Sequence, residues 1–148
     1  MTYRKAEILD IPELIELRKY QLIEEGADYV DIELSLQAYF LSSLENHSLI
    51  VWIAEDEATI IATGGICFYQ LPPTFTNPSG RIAYVTNMYT KSDYRNREIA
   101  TKLLGLVVEE GRRLNYKAVR LHASSKGRSI YMKNGFEDSE GYMALKSN

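Results

Sequence analysis

The stretch YRNREIATKLL, residues 94–104, places two arginines and an asparagine directly before a strong helix pattern. A strand is predicted to end near Thr90, and the helix is predicted to begin near Ile99. The first amides of a helix have no partner inside the helix, and the helix dipole adds positive potential at that end. With Arg95 and Arg97 beside those amides, the turn is predicted to bind an anion such as a pyrophosphate.

The segments around this turn alternate between strand and helix patterns. On its N-terminal side, strands are predicted over residues 3–6, over 48–71 as a pair joined at 55–57, and over 81–90, with helices over 10–25 and 34–44. On its C-terminal side, a helix over 99–115, a strand over 117–123, a short helix over 129–134 and a last strand over 142–146 follow. Residues 81–123 therefore form a βαβ unit, which predicts a parallel strand pair.

Two local signals refine these elements. Asp10, followed by Glu13 three residues later, predicts a helix N-cap with a capping box. The pair Gly64–Gly65 lies inside a strand pattern and indicates a bulge or a close backbone approach. An early helical pair followed by strands and a βαβ unit favours a mixed α/β (α+β) fold in a single domain, residues 1–148.

Composition narrows the class of protein. The chain has 148 residues, of which 45% are hydrophobic and 25% charged, as in globular proteins. The chain has no run of 18 apolar residues, so no membrane span is predicted. The first residues lack the apolar segment of a signal peptide. The single cysteine, Cys67, cannot form an internal disulfide. A cytoplasmic protein without a membrane partner is therefore expected.

Several chemistries are not supported by any motif. The chain lacks a P-loop, a GxGxxG fingerprint and a GxSxG elbow. His47 and His122 have no metal-ligand spacing around them, so no metal site is expected. Cys67 is predicted to be a core thiol, and His122 a packed or pocket-lining residue. No nucleic-acid partner is expected, because no motif for one is present.

Charge is divided unevenly along the chain. Residues 1–90 carry five Lys/Arg and 13 Asp/Glu, a net charge of −8, whereas residues 91–133 carry 11 Lys/Arg and four Asp/Glu, a net charge of +7. The basic block contains the predicted anion-binding turn, which favours an anionic partner. A solvated basic helix face is the alternative explanation.

The turn and a later motif together resemble the GNAT N-acetyltransferases. The family signature Gln/Arg-x-x-Gly-x-Gly/Ala corresponds to residues 95–100, and a later Tyr…Gly-Phe motif corresponds to Tyr131, Gly135 and Phe136. The resemblance covers most of the chain. It implies a twisted, mostly antiparallel sheet, flanked by helices, with a splayed central parallel strand pair that holds acetyl-CoA.

The resemblance also implies roles for individual residues. The backbone of Met88, Tyr89 and Thr90 would bind the pantetheine arm of acetyl-CoA. The pyrophosphate and neighbouring groups would contact Arg95, Asn96, Arg97, Glu98, Ile99, Ala100 and Thr101. Ser124 would touch the cofactor, Gly127 stands where a small residue is expected, and Tyr131 would protonate the leaving thiolate.

Two residues depart from the family pattern. Glu98 replaces the first glycine of the signature, and a glutamate there is expected to take right-handed helical dihedrals with its carboxylate in solvent. Asn87 lies where some members carry a glutamate base, so the base would be a water chain or another group. Glu98 favours the alternative function, a non-catalytic CoA-binding or regulatory module with this fold.

The resulting functional prediction is transfer of an acetyl group from acetyl-CoA to a primary amine of a small molecule or peptide. The resemblance places the acidic segment EEGADYVDIE, residues 24–33, beside the acceptor. Because an acidic rim attracts cations, a cationic acceptor is predicted. The alternative is that these carboxylates only keep the protein soluble. The sequence does not decide whether the protein forms a homodimer.

Overall fold

The computed structural model describes residues 1–139 and 141–147. The strands are β1 (Thr2–Lys5), β2 (Leu49–Asp56), β3 (Thr59–Gln70), β4 (Arg81–Thr90) and β5 (Ala118–Leu121). The helices are α1 (Ile11–Glu24), α2 (Glu33–Glu45), α3 (Ile99–Arg113) and α4 (Arg128–Lys133), and short 3-10 turns occupy Ile8–Asp10 and Ser92–Tyr94. This order agrees with the predicted alternation up to α4.

The five strands form one mixed sheet in the order β1-β2-β3-β4-β5. All neighbours are antiparallel except β4 and β5, which are parallel and paired only between residues 82–85 and 118–121. Because β4 continues to Thr90 while β5 ends at Leu121, the two strands separate at their carboxyl ends. The predicted mixed fold with a splayed parallel pair is confirmed.

The predicted last strand over residues 142–146 is wrong. Residues 141–147 form no strand, and Tyr142, Met143 and Leu145 are 71%, 97% and 98% exposed. A strand pattern is a local property, whereas a strand needs a hydrogen-bonded neighbour, and this segment has none in the described chain. The parallel pair β4–β5 consequently lies at one end of the five strands instead of at the centre.

The sheet buries a core on each face. On one face α3 packs through Leu104 and Val107 against Ile66, Ala83 and Val85. On the other face lie apolar side chains of α1, α2, β2 and β3, among them Leu14, Leu17, Phe40, Leu49, Val51 and Ile60. The apolar spacing of Ile99, Leu103, Val107 and Leu114 predicts one buried face for the long helix. The first three are buried, as predicted, whereas Leu114, just past the end of α3, is 45% exposed.

A bulge interrupts the pairing of β3 and β4 opposite the two glycines, as predicted. The register shifts between Thr63 and Gly65, and the bulged Asn87 has a φ of 55°. The Thr63 hydroxyl donates a 2.7 Å hydrogen bond to the carbonyl oxygen of Asn87. The extra residue reverses the alternation of β4, so that Met88 packs on the α3 side and Tyr89 on the α1 side.

The predicted capping box at the start of α1 is wrong. Asp10 is the N-cap residue, but its carboxylate accepts hydrogen bonds from the Glu7 amide, at 2.7 Å, and from Arg4, at 2.8 and 2.9 Å. Glu13 instead accepts a 3.4 Å hydrogen bond from the amide of Ile60. The bidentate arginine, which comes from β1, holds the Asp10 carboxylate outside the helix.

Candidate active site

The separation of β4 from β5 leaves a cleft between the two strands beyond Val85 and Leu121. In this part of β4, Tyr89 and Thr90 pair with Thr63 and Ala62 of β3. One edge of the segment is therefore occupied, while the edge facing β5 has no strand partner. An extended ligand can add to such an edge through backbone hydrogen bonds, which suits the predicted role of residues 88–90.

The anion-binding turn, residues 95–101, reaches from the end of β4 into α3. The first hydrogen bond of α3 runs from the Lys102 amide to the Glu98 carbonyl oxygen, at 3.0 Å. The amides of Ile99, Ala100 and Thr101 consequently have no acceptor within the helix. Ile99 is buried and anchors the helix start in the core, so these amides face a fixed direction. The local geometry fits an anionic ligand.

Glu98 does not have the predicted right-handed helical conformation. Its φ is 61° and its ψ is 18°, in the left-handed region, and Asn96 also has a positive φ, of 64°. Two left-handed residues turn the chain sharply before α3, and glycine is the residue that adopts this conformation at no steric cost. Glu98 is exposed and carries the strain of the turn on its backbone.

The two arginines of the turn have different surroundings. Arg95 donates to the carbonyl oxygen of Thr90, at 3.0 Å, and pairs with Glu24 of α1, at 2.5 Å. The Tyr89 hydroxyl donates to the same carboxylate, at 2.9 Å. Arg97 is exposed, and its guanidinium lies 5.2 Å from the centre of the Tyr94 ring. Arg95 therefore joins β4 to α1, and Arg97 has only weak local contacts.

Glu24 is held as a carboxylate by this arrangement. Burial raises the pKa of its carboxyl group, but the hydrogen bonds from Arg95 and Tyr89 outweigh burial and keep the pKa below the ordinary value. The sequence indicated an acceptor-steering role for Glu24 and gave no sign of a partner 71 residues away. Only the packing of α1 against β4 brings the two together.

Tyr131 lies on α4, after β5, and is half-buried. Burial raises the pKa of its phenol, and the charge of Glu25 and the nearby Tyr84 raise it further. Its ring meets the ring of Phe136 edge-on, with 6.1 Å between the ring centres. The phenol is thus protonated at neutral pH and held by apolar packing, both of which a proton donor requires.

Gly127 and Ser124 shape the loop that leads into α4. The Gly127 amide donates to the Ser124 hydroxyl oxygen, at 3.2 Å. A Cβ atom on Gly127 would stand only 2.9 Å from a carbon of the Tyr131 ring. A small residue is therefore needed at position 127, because the Tyr131 ring packs directly on this backbone. The sequence places the two residues four positions apart but does not show that they are in contact.

Two further predictions concern histidine and asparagine. His122 is exposed, just beyond the end of β5, so the packed alternative is wrong, while the pocket-lining alternative stays a prediction. The strand ends at Leu121, two residues earlier than predicted. Asn87 is buried at the bulge, and its side-chain oxygen accepts a 3.2 Å hydrogen bond from the Thr86 hydroxyl. It cannot accept a proton as a carboxylate would.

The described residues contain neither a metal-binding group nor a membrane-spanning helix. Within residues 1–139 and 141–147, no three His, Cys, Asp or Glu side chains come together as a metal-binding group. In the same part of the chain, no helix combines the length and the apolar character that a membrane span requires.

Comparison with known proteins places these features in context. Residues 47–138 match the acetyltransferase (GNAT) domain family. An uncharacterised N-acetyltransferase of Bacillus subtilis, YhfO, is 29% identical over 111 residues, which cover 72% of this chain and 71% of that protein. A predicted acetyltransferase of Clostridium acetobutylicum, crystallised with acetyl-CoA, is 44% identical, with a TM-score of 0.95 over 98% of this chain and 95% of that one. A GCN5-related N-acetyltransferase of Ralstonia eutropha has a TM-score of 0.91 at 21% identity, covers 98% of this chain and 97% of that chain, and shares the fold.

Proposed function

Because this chain belongs to the GNAT acetyltransferase family, we propose that it transfers an acetyl group from acetyl-CoA directly to a primary amine, with Tyr131 as the general acid. One observation carries the proposal. The open edge of β4, the unpaired amides at the start of α3 and the half-buried Tyr131 belong to the elements that border a single cleft. In this proposal the edge of β4 binds the pantetheine arm, the amides at the start of α3 bind the phosphates, and Tyr131 donates the proton.

The described residues fit acetyl-CoA. Met88, Tyr89 and Thr90 offer the free edge of β4 to the pantetheine arm, and Ser124 borders the same cleft. The turn residues Arg95, Asn96, Arg97, Glu98, Ile99, Ala100 and Thr101 offer backbone donors and positive charge to the phosphates. Glu98 is exposed, so its carboxylate can stay in solvent while its amide remains available.

The chemistry needs one proton to arrive and one to leave. The neutral amine attacks the thioester carbon, a C–N bond forms, and the C–S bond breaks as Tyr131 passes its phenolic proton to the sulfur. The acetylated nitrogen then loses a proton to water or to a nearby carboxylate. Glu25, whose charge acts on Tyr131, is the candidate acceptor for that proton.

The same carboxylate supports a cationic acceptor. Of the four acidic side chains that the sequence predicted to steer it, Glu24 is paired with Arg95, and Asp31 accepts a hydrogen bond from the Glu33 amide. Glu25 and Asp28 form no ion pair in the described chain and remain able to attract an ammonium group. We also propose that the enzyme is cytoplasmic. Among the described residues no strand pairs with the outer edge of β5, and this edge offers a surface for a homodimer.

A turnover assay tests the proposal. Acetyl-CoA is presented with a panel of small amines and lysine-containing peptides, while acetyl-CoA binding is measured by calorimetry. Binding with turnover supports the enzyme, and binding without turnover favours the regulatory module. A protein that binds no acetyl-CoA contradicts both functions.

Tyr131→Phe tests the general acid. It removes only the hydroxyl and should lower kcat by about 10²-fold, the usual scale for general acid catalysis, with little change in acetyl-CoA affinity. Tyr116→Phe is the matched control, because this tyrosine packs against Phe68 on the α3 side of the sheet. Equal kcat values for wild type and Tyr131→Phe would exclude Tyr131 as the acid.

A further inference from the structure

A line of polar side chains runs from the sheet-facing side of α1 to the exposed residue that follows the last turn of the helix. Arg18, Gln21 and Glu25, which we call the polar line, follow Leu14 at helical spacing, and Leu14 is only 1% exposed. Arg18 donates to the Gln21 side-chain oxygen, at 3.1 Å, and Gln21 donates to Glu25, at 3.3 Å. The hydrogen bonds order the polar line and fix the direction in which Arg18 points.

Polar groups of the sheet and of α2 stand opposite Arg18. Cys67 of β3 and Tyr84 of β4 are direct neighbours in the sheet, and Tyr39 lies on α2. Burial raises the pKa of the Tyr39 and Tyr84 phenols, and the positive charge of Arg18 works against that rise in both. Arg18 therefore lies within electrostatic reach of two tyrosine hydroxyls on different elements.

Arg18 retains most of its capacity to bind an anion. A guanidinium has five N–H donors, and the one side-chain hydrogen bond of Arg18 goes to a neutral amide. No carboxylate of residues 1–139 or 141–147 lies within 4 Å of it, whereas Arg4 pairs with two carboxylates and Arg95 with one. A half-buried arginine without a carboxylate partner is suited to bind an incoming oxyanion through two parallel hydrogen bonds.

The other end of the polar line reaches the catalytic tyrosine. Glu25 directly follows Glu24, whose carboxylate accepts a hydrogen bond from the Tyr89 hydroxyl at the end of β4. The negative charge of Glu25 also raises the pKa of the Tyr131 phenol. Glu25, the residue after the last one of α1, follows Arg18 by seven positions, which is roughly 10 Å along the helix axis. A ligand that contacts both ends must therefore have several bonds between its two charged groups.

We propose that the acceptor carries an oxyanion group, a carboxylate or a phosphate, which Arg18 binds while the amine lies beside Glu25 and Tyr131. This inference rests on the proposed acetyltransferase function and specifies its acceptor as a zwitterion. An α-amino acid, whose two charged groups share one carbon, is too short to reach both ends. Amines with an acid at the far end of an extended chain fit the spacing.

The experiment uses three matched series of acceptors: ω-amino acids, ω-aminoalkyl phosphates, and alkyl amines of the same length with a methyl group in place of the acid. The quantity measured is the ratio of kcat/KM for the acidic amine to that for the matched alkyl amine. We expect a ratio of roughly 10 to 100 in the wild type, the range for charge-assisted hydrogen bonds. The series with the higher ratio identifies the acid.

Variants then assign the preference to one side chain. Arg18→Gln should bring the ratio close to one, and Arg18→Lys should leave part of it. Arg112→Gln, which removes the same charge from an exposed position on α3, should keep the wild-type ratio. Acetyl-CoA binding by calorimetry checks that each variant is folded.

Two results would overturn the inference while leaving the proposed function intact. One is a wild-type ratio near one, and the other is a preference for acids that survives in Arg18→Gln. A protein that transfers acetyl groups to none of the amines would instead overturn the proposed function, together with the acceptor assigned here.

Discussion

Two carboxylates on opposite sides of the sheet are bound by similar partners but lie in different environments. Glu110 of α3 accepts a 3.1 Å hydrogen bond from the Trp52 indole and pairs with Lys5 and Arg113, at 3.2 and 2.6 Å. Glu24 of α1 accepts from the Tyr89 hydroxyl and pairs with Arg95. The Glu110 side chain is 5% exposed, and the Glu24 side chain is 35% exposed.

The difference lies in what each carboxylate connects. Glu110 joins α3 to strands β1 and β2, far from the cleft, so we expect its loss to affect folding. Glu24 joins α1 to the end of β4 and to the anion-binding turn, so we expect its loss to affect binding. We therefore expect similar hydrogen bonds to serve the fold where they are buried, and to serve ligand binding where they border the open edge of β4.

The largest effect should come from Glu110→Ala. Removing the carboxylate leaves a partly buried indole N–H without its acceptor and two cations without their partner, which should lower the free energy of unfolding by about 2 to 3 kcal/mol. Denaturant titration measures the change. Glu109→Ala is the control, because Glu109 is exposed and pairs only with Arg112 in the described chain, so its loss should cost less than about 0.5 kcal/mol. Equal losses would contradict the comparison.

The Glu110 contribution should also depend on pH. Burial raises the pKa of this carboxyl group, but the hydrogen bonds from Trp52, Arg113 and Lys5 outweigh burial and hold the pKa below the ordinary value of 4.5. A lowered pKa means that the stabilisation is complete above that value and is lost as the pH falls through the folded-state pKa. The stability gap between wild type and Glu110→Gln should therefore narrow between pH 6 and pH 3. A constant gap would contradict this assignment.

Glu24→Gln should have a smaller effect, and on binding. The amide can still accept from Tyr89, and the partly exposed ion pair adds little stability. Arg95 loses its counter-charge, so the turn becomes more positive, and acetyl-CoA should bind about three- to tenfold more tightly at low salt. The gain should disappear at high salt, where charges are screened. Calorimetry at two salt concentrations measures both.

Glu25→Gln is the matched control for this change. It removes the same charge one residue away, and Glu25 makes no contact with Arg95. Identical changes in acetyl-CoA affinity in both variants would mean that net charge alone matters. Weaker binding in Glu24→Gln would show that the ion pair positions Arg95 for the phosphates.

The smallest effect should follow from Glu98→Gly. A non-glycine residue in the left-handed region costs about 1 to 2 kcal/mol of strain in the folded state. Glycine removes this strain, but it loses more chain entropy on folding, which costs about 0.5 to 1 kcal/mol. A net gain of roughly 0.5 to 1 kcal/mol in stability is expected by thermal unfolding. Lys102→Gly, at a right-handed position of α3, should be destabilising by a similar amount. Destabilisation in both variants would show that the Glu98 side chain has a positive role.

Much of the cleft could be predicted because its parts are local in sequence. Residues 95–101 carry both the signature and the helix start, and the βαβ pattern around them predicts the parallel strands. The conformation of Glu98 could not be predicted, since right-handed and left-handed dihedrals leave the same residue pattern. The strand over residues 142–146 was predicted from a local pattern that has no ladder partner in the described chain.

The sequence by itself determined several features of the protein, because spacing and helix-end chemistry are local properties. These features are the family resemblance, the order of elements up to α4, the buried face of α3 and the position of the anion-binding turn. Only the tertiary structure decided which side chains meet across long stretches of chain. It brought Glu24 to Arg95 and Trp52 to Glu110. These pairings depend on how α1 and α3 cross the sheet, and that crossing is set by burial over the whole domain.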